Sequence, residues 1–279
     1  MQIREAIVDE YEYSVKRPWR KILYEQQMYP DTYFGCELLS SLKHNVTART
    51  YSVSVAAKFS CVVMQQICSV GLYVVIFAFV YHGILSCNTL LWFCFAFGAS
   101  QCVFLQSFRR NNFRAVTDIK TVGIYVFFGW LASPILRTLT ETISTDTVYA
   151  MSVAMFTSNL IFHDYGICVE VVSPALSLNA AFFGVICLLS RLSSTFDVFV
   201  LLSLAVEIFV LWPLTRTIIR TRIPSVEIPL TTILSLIVIL CLTSLERTIM
   251  VLLFVTLHMF ISGICPLWLV QMQPLKRFV

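Results

Sequence analysis

The stretch VLLFVTLHMFISGICPLWLV, residues 251–270, contains no Asp, Glu, Lys or Arg. An α-helix needs about 20 mainly apolar residues to cross a bilayer, so this stretch predicts a membrane-spanning helix. Working outward along the chain, we find seven more apolar runs of comparable character. The eight predicted spans are 59–80, 88–108, 121–137, 147–162, 175–190, 197–214, 228–245 and 248–270. The pattern predicts an all-α polytopic membrane protein with about eight transmembrane helices.

The composition supports the same class. Hydrophobic residues make up 58% of the 279 residues, and charged residues only 13%. A soluble domain of this length could not bury that much apolar surface, so lipid must be the solvent for much of it. The 22 Phe, 11 Tyr and 5 Trp suit helices that carry aromatic belts at the membrane interfaces.

Lys and Arg placement predicts the orientation of the spans, because cytosolic loops carry an excess of positive charge. With eight spans, seventeen of the twenty Lys and Arg residues fall on one side. The opposite side receives only Arg137, Arg191 and Arg247. Both termini are therefore predicted to be cytosolic.

The domain organisation follows from these spans. Residues 1–54 are predicted to form a cytosolic tail with an amphipathic helix, because Leu38, Leu39, Leu42 and Val46 recur at helical spacing. Residues 55–273 form the predicted membrane domain, and 274–279 a short cytosolic tail. Three polar residues lie where N-caps of the predicted spans would fall: Asn88, Asp146 and Asp197.

Several classes of site have no signature in this sequence. It contains no D-x-D or H-E-x-x-H metal motif, no G-x-S-x-G nucleophile motif and no phosphate-binding glycine loop, and glycine is sparse at nine residues. Most of the ten cysteines lie within apolar runs without a C-x-x-C pair, which indicates small packing residues. We therefore expect no catalytic residue, metal, cofactor or nucleic-acid partner for the chain alone.

The stretch SPILRTLTETISTDTVYAMSV, residues 133–153, places three charges between two apolar runs. In a helix, Arg137 and Glu141 stand four residues apart and can pair, and Asp146 is placed to cap the next span. One interpretation is a structural hairpin tip. The other is a groove that contacts a lipid headgroup or a partner protein, with Tyr149 beside it.

A second polar cluster, FHDYG, contains His163, Asp164 and Tyr165 and falls on the predicted cytosolic side. The first interpretation is a turn, with Gly166 as helix C-cap and Asp164 bonding its own backbone. The alternatives are a His–Asp acid–base pair and a contact site for a lipid headgroup or a partner protein. Adjacent residues rarely present both groups to one substrate, which weighs against the acid–base pair.

Glu207 is the charge placed deepest in a predicted span. An ionisable group at that depth is costly and is expected to face the bundle interior with a polar partner. The expected partner is a hydroxyl, an Arg or a His, with His258 as one candidate, and protonation of Glu207 would serve as well. A proton relay in a lipid or small-solute transporter is the alternative use of Glu207.

Six stretches together resemble one known family. They are WRKILYEQ (19–26), YPDTY (29–33), the stretch 133–153, LIFHDYG (160–166), SLNAAFF (177–183) and CLLSRL (187–192). In this order they resemble the PIG-C family, one of the membrane components of phosphatidylinositol N-acetylglucosaminyltransferase. The resemblance runs from Trp19 to Pro274 and is strongest from Ser133 to Leu192.

The resemblance implies a non-catalytic, multi-pass subunit in the endoplasmic reticulum membrane. The complex of that family transfers N-acetylglucosamine from UDP-GlcNAc to phosphatidylinositol on the cytosolic face, the first step of GPI-anchor biosynthesis. The implied partners are a PIG-A-like catalytic subunit, the H, P, Q and Y subunits, phosphatidylinositol and membrane lipid. The implied role is to act as a scaffold, to present phosphatidylinositol, or both. The charge count places residues 137–146 on the lumenal side, so they are either structural or dip into the membrane.

Overall fold

A computed structural model describes residues 51–108, 113–138, 142–166 and 173–273, together with Ile22 and Tyr24. For residues 113–122, 125 and 126 only the backbone is described. Tyr51–Gln271 form one compact unit. The predicted amphipathic helix of the tail and the side chain of Glu141 lie outside the described residues. The predicted division of the chain at residues 54 and 273 stays a prediction.

The described chain is built from helices. The α-helices are α1 Val53–Tyr81, α2 Cys87–Phe108, α3 Phe113–Thr138, α4 Thr145–Phe162, α5 Pro174–Leu189, α6 Thr195–Val206, α7 Trp212–Arg222, α8 Glu227–Ser244, α9 Thr248–Met259 and α10 Cys265–Met272. Two π-helical turns, Glu207–Leu211 and Phe260–Ile264, join α6 to α7 and α9 to α10 without a break. A 3₁₀ turn, Pro224–Val226, leads into α8.

Each of the eight apolar runs of the sequence lies in a continuous helical segment, which we call a rod. Five of these rods are long and apolar enough to cross a membrane: Val53–Tyr81, Cys87–Phe108, Thr195–Arg222, Pro224–Ser244 and Thr248–Met272. The predicted all-helical, multi-pass architecture is thereby confirmed. Helix α5 is shorter, at 16 residues, and the count of eight crossings stays a prediction.

Two rods form the centre of the bundle. Half or more of the apolar window is buried in α1 (56%) and in Thr195–Arg222 (50%), against 6% in Thr248–Met272. Tyr73 of α1 is fully buried, with its ring 6.2 Å from Phe156 of α4 and 5.7 Å from Phe209. Val185 of α5 and the inner face of α6 complete this core. A smaller apolar cluster joins α1 to α8 and α9.

The outer helices present large apolar side chains outward. Trp92, Phe93 and Phe95 of α2 and Leu252 and Leu253 of α9 are all more than half exposed. In water such surfaces would aggregate, whereas lipid solvates them without cost. The exposed faces are therefore consistent with the membrane class expected from composition.

The predicted N-caps were wrong at all three positions. Ser144 caps α4, and its hydroxyl accepts from the Thr147 amide at 3.4 Å. Asp146 lies two residues after this cap, and Asp197 lies three residues after Ser194, the N-cap of α6. Both carboxylates are therefore in the first turn, at the positive end of the helix dipole. Helix α2 begins at Cys87, so Asn88 is already inside it.

Candidate functional site

A cavity of about 310 Å³ lies where α7 meets α1, α5 and the C-terminal end of α4. Its lining combines charged and polar side chains with apolar ones. The polar lining is Gln66, Asn159, His163, Asp164, Ser177, Arg216, Thr217 and Arg220, and the apolar lining is Val62, Pro174, Leu178, Phe209, Val210, Pro213 and Leu214. We call it the Arg216 cavity, because this residue carries its most buried charge.

Arg216 lies in α7 and is only 5% exposed. One of its guanidinium nitrogens, Nη2, donates to Gln66 Oε1 of α1 at 3.0 Å. The same nitrogen lies 2.9 Å from His163 Nε2, which accepts from it because a guanidinium can only donate. Both partners are uncharged in this arrangement, so they orient Arg216 without neutralising it.

The network continues from Gln66 into the α4–α5 pair. Gln66 Nε2 donates to Asn159 Oδ1 at 3.1 Å. Asn159 Nδ2 in turn donates to the carbonyl oxygen and the hydroxyl of Ser177, both at 2.9 Å, and the Ser177 hydroxyl donates back to the Asn159 carbonyl. These buried groups hold α1, α4 and α5 in register around the cavity.

The charge of Arg216 is left uncompensated by the described residues. Its Nη1 is buried and has no hydrogen-bond partner among them, and no carboxylate of the described chain forms an ion pair with it. A buried charge without a counter-charge costs several kcal/mol. A buried ionisable group kept at such a cost is a candidate functional site.

Arg220, one turn further along α7, is compensated by contrast. Its Nη1 donates to the Tyr165 carbonyl at 3.0 Å, and its Nε lies 3.4 Å from Glu227 Oε1. The guanidinium also stands 5.5 Å from the Phe59 ring centroid. Arg220 therefore fixes the turn after α4 to the start of α8.

The turn after α4 has the geometry expected from the sequence. The Gly166 amide donates to Asp164 Oδ1 at 2.8 Å, and Gly166 has φ +77°, in the left-handed region. The C-cap of α4 is His163 rather than the predicted Gly166. Burial, reinforced by the nearby guanidinium of Arg216, lowers the pKa of His163 to about 4. His163 is therefore neutral at pH 7, and its Nε2 contacts Arg216. This contact does not favour the acid–base pair of His163 with Asp164.

The sequence-predicted site residues separate to the two ends of α4. His163, Asp164 and Tyr165 lie at its C-terminal end beside the Arg216 cavity. Asp146 and Tyr149 lie in its first turns, about 21–26 Å from His163 at 1.5 Å per residue. Tyr149 lines a second, mainly apolar cavity of about 360 Å³.

The polar stretch 133–153 is held by contacts to backbone carbonyls. The buried Ser133 hydroxyl donates to the Thr195 carbonyl at 2.6 Å, and Arg191 Nη2 donates to the Ile143 carbonyl at 3.1 Å. Arg137 is exposed in the last turn of α3. Because Glu141 is outside the described residues, the predicted Arg137–Glu141 pair remains a prediction.

Glu207 does not pair with His258. It begins the π-helical turn, is 8% exposed and packs against Gly98 of α2, where a Cβ atom would lie 2.9 Å from its Oε1. His258 Nδ1 instead lies 3.3 Å from the Ser235 hydroxyl. Within the described ranges, no group of three His, Cys, Asp or Glu side chains is placed to hold a metal ion.

Sequence reasoning missed the residue at the centre of the cavity. It counted Arg216 and Arg220 only as positive charges that orient the membrane spans. The four-residue spacing of the two arginines was a usable signal, because it places both on one face of a helix. Gln66 and Asn159 gave a weaker signal, as amides within predicted membrane spans.

The chain is similar to known proteins over nearly its full length. The family described as GPI2, phosphatidylinositol N-acetylglucosaminyltransferase, matches residues 19–279. The human protein named as the C subunit of phosphatidylinositol N-acetylglucosaminyltransferase is 36% identical over 265 residues, which covers 93% of this chain and 89% of the human one.

More distant relatives carry related names. The Schizosaccharomyces pombe protein named phosphatidylinositol N-acetylglucosaminyltransferase GPI2 subunit is 30% identical, over 95% of this chain and 85% of its own length. A Dictyostelium discoideum protein, named as the putative C subunit of the same transferase, is 32% identical, over 94% and 77% of the two chains. No solved structure matches the chain.

Proposed function

Because the chain belongs to the GPI2 family of phosphatidylinositol N-acetylglucosaminyltransferase, we propose that it is a non-catalytic membrane subunit of that transferase. The family resemblance expected from the six sequence stretches is thereby confirmed. The observation that carries the proposal is the family match over residues 19–279. The reaction served is transfer of N-acetylglucosamine from UDP-GlcNAc to phosphatidylinositol, the first step of GPI-anchor biosynthesis.

The proposed role has two parts, to act as a scaffold for a catalytic subunit and to present phosphatidylinositol to it. The sequence supports a non-catalytic part, because it lacks a D-x-D motif and a glycine loop for a sugar nucleotide. The structure supports presentation of a lipid, because the Arg216 cavity is lined by both cationic and apolar side chains. The proposed partners are a PIG-A-like glycosyltransferase and the H, P, Q and Y subunits, in the endoplasmic reticulum membrane.

Loss of the chain is expected to abolish synthesis of GlcNAc-phosphatidylinositol in microsomes, while the purified chain alone transfers no sugar. Adding back the wild-type gene should restore both product and recovery of a glycosyltransferase with the tagged chain. Turnover of UDP-GlcNAc by the isolated chain would contradict the non-catalytic role. Solute or lipid transport by the chain alone in liposomes, without a glycosyltransferase partner, would favour a transporter.

The proposed topology has eight crossings and cytosolic termini. Seventeen of the twenty Lys and Arg residues fall on one side under that arrangement. The sequon Asn45-Val46-Thr47 is then expected to stay unglycosylated, and tags at both ends should be digested by protease in intact microsomes. An endoglycosidase-sensitive mass shift that disappears in Asn45→Gln would refute the topology.

A further inference from the structure

We propose that the Arg216 cavity binds the phosphodiester group of an anionic glycerophospholipid, with Arg216 as the principal contact. The inference rests on the proposed function and deepens it, because it assigns a location in this chain to the lipid. The family name identifies phosphatidylinositol as the first lipid to test.

The charge balance of the cavity favours an anion. Arg216 is only 5% exposed, its Nη1 has no partner among the described residues, and its bonded neighbours Gln66 and His163 are uncharged. The acidic lining residue Asp164 already has one oxygen engaged by the Gly166 amide. Arg220 is offset by Glu227. Asp164 keeps its negative charge but forms no ion pair with Arg216 in the described chain, so the uncompensated point of the cavity is the Nη1 end of Arg216.

The donor chemistry favours a phosphate. A guanidinium presents several N–H groups in a planar fork, which suits phosphate oxygens better than a point charge does. Arg216 uses Nη2 for the protein network, so Nη1 is left for a ligand oxygen. Because Gln66 and His163 hold the guanidinium in place, little side-chain entropy would be lost on binding.

The position of the cavity favours a lipid over a soluble anion. Arg216 lies six residues before the end of the rod Thr195–Arg222, about 9 Å along the helix. This distance places it at the depth of the lipid headgroups rather than in the middle of the bilayer. Phe209, Pro213 and Leu214 supply apolar lining beside the charge. Apolar side chains beside the Arg216 guanidinium would suit the glycerol backbone of a phospholipid and the start of its acyl chains. The charge count predicts that this end is cytosolic.

The test measures binding to the full-length chain purified in mild detergent. Dihexanoyl-phosphatidylinositol, dihexanoyl-phosphatidylcholine and inorganic phosphate are titrated separately. Wild type is expected to bind the phosphatidylinositol at least tenfold more tightly than either of the other two probes. Arg216→Gln should lower that affinity at least tenfold. Arg222→Gln is the matched control, because it removes the same charge from an exposed position of the same helix.

A second variant keeps the test decisive if Arg216→Gln does not fold. Thr217 is an exposed lining residue, so Thr217→Trp narrows the cavity while leaving Arg216 in place. It should also weaken phosphatidylinositol binding at least tenfold. Unchanged affinity in a folded Arg216→Gln or Thr217→Trp chain would overturn the site. Equal losses in Arg216→Gln and Arg222→Gln would assign binding to diffuse surface charge and also overturn it.

The remaining outcomes distinguish the source of the anion and the proposed function. Inorganic phosphate that binds as tightly as phosphatidylinositol would overturn the lipid assignment in favour of a free-anion site. Loss of a protein partner on Arg216→Gln, with lipid affinity unchanged, would assign the cavity to an acidic segment of that partner. Failure of the chain to co-purify with a glycosyltransferase would refute the proposed function. The lipid titration uses the chain alone, so it would still test the proposed site.

Discussion

Replacing Asn159 by leucine is expected to lower the free energy of unfolding by about 2–4 kcal/mol, because leucine fills the space but forms no hydrogen bond. Asn159 is 2% exposed and joins Gln66 of α1 to Ser177 of α5. Without it, the Gln66 amide that orients Arg216 loses its own anchor and is left as an unsatisfied buried donor. Thermal unfolding of the purified protein and recovery of the intact complex measure the effect.

Ser158→Leu serves as the matched control for Asn159→Leu. Ser158 is the preceding residue of α4, is only partly buried, and its hydroxyl bonds only the Ala154 carbonyl of the same helix among the contacts of the described chain. Leucine at this partly buried position, where no contact between helices is lost, should leave thermal stability within about 0.5 kcal/mol of wild type. If Asn159→Leu is as stable as Ser158→Leu, the buried amide network does not hold the bundle together.

Replacing Gly184 by valine is expected to cost about 1–3 kcal/mol, because the site is already filled. A Cβ atom at Gly184 would lie 3.2 Å from the Phe156 ring, and the branched side chain adds two further carbons there. Phe156 cannot move freely, since its ring packs against those of Tyr73 and Phe209 in the core. The melting temperature should fall in order from wild type through Gly184→Ala to Gly184→Val.

Gly123→Val is the matched control, because no atom lies within 4 Å of a Cβ atom built at Gly123 of α3. Glycine is the less favourable residue in a helix interior, so this substitution should leave stability unchanged or raise it slightly. Equal melting temperatures for Gly184→Val and Gly123→Val would mean that α4 and α5 are not closely packed at Phe156.

The helical segments could be predicted because bilayer-length apolar runs are a property of the local sequence. The predicted run 175–190 and helix Pro174–Leu189 agree to within one residue at each end. The predicted run 59–80 missed the first turns of α1, which begins at Val53, because Ser54 and Lys58 interrupt the apolar pattern there although both are helical. The N-caps were predicted wrongly because both Ser and Asp residues lie near the start of a helix, and the sequence alone does not determine which of them caps it.

The candidate site could be predicted only in part. The turn with Asp164 and Gly166 depends on adjacent residues, and its hydrogen bond was expected from the sequence. The partnership of Arg216 with Gln66 joins residues 150 positions apart, so it depends on how α1 and α7 pack. Helical periodicity does not determine that packing in a membrane, because lipid-facing and buried faces are both apolar. The predicted pairing of Glu207 with His258 was wrong for this reason.

The reciprocal bonds between Asn159 and Ser177 have a consequence for biosynthesis. In isolation, α4 would enter the lipid with an unsatisfied amide, and α5 is only 16 residues long. An unpaired polar group in hydrocarbon is unfavourable, and a short helix spans it only by thinning the bilayer. We therefore expect the translocon to release α4 and α5 together, as a hairpin already joined by these bonds. Insertion of α4 would then wait until α5 has been synthesised.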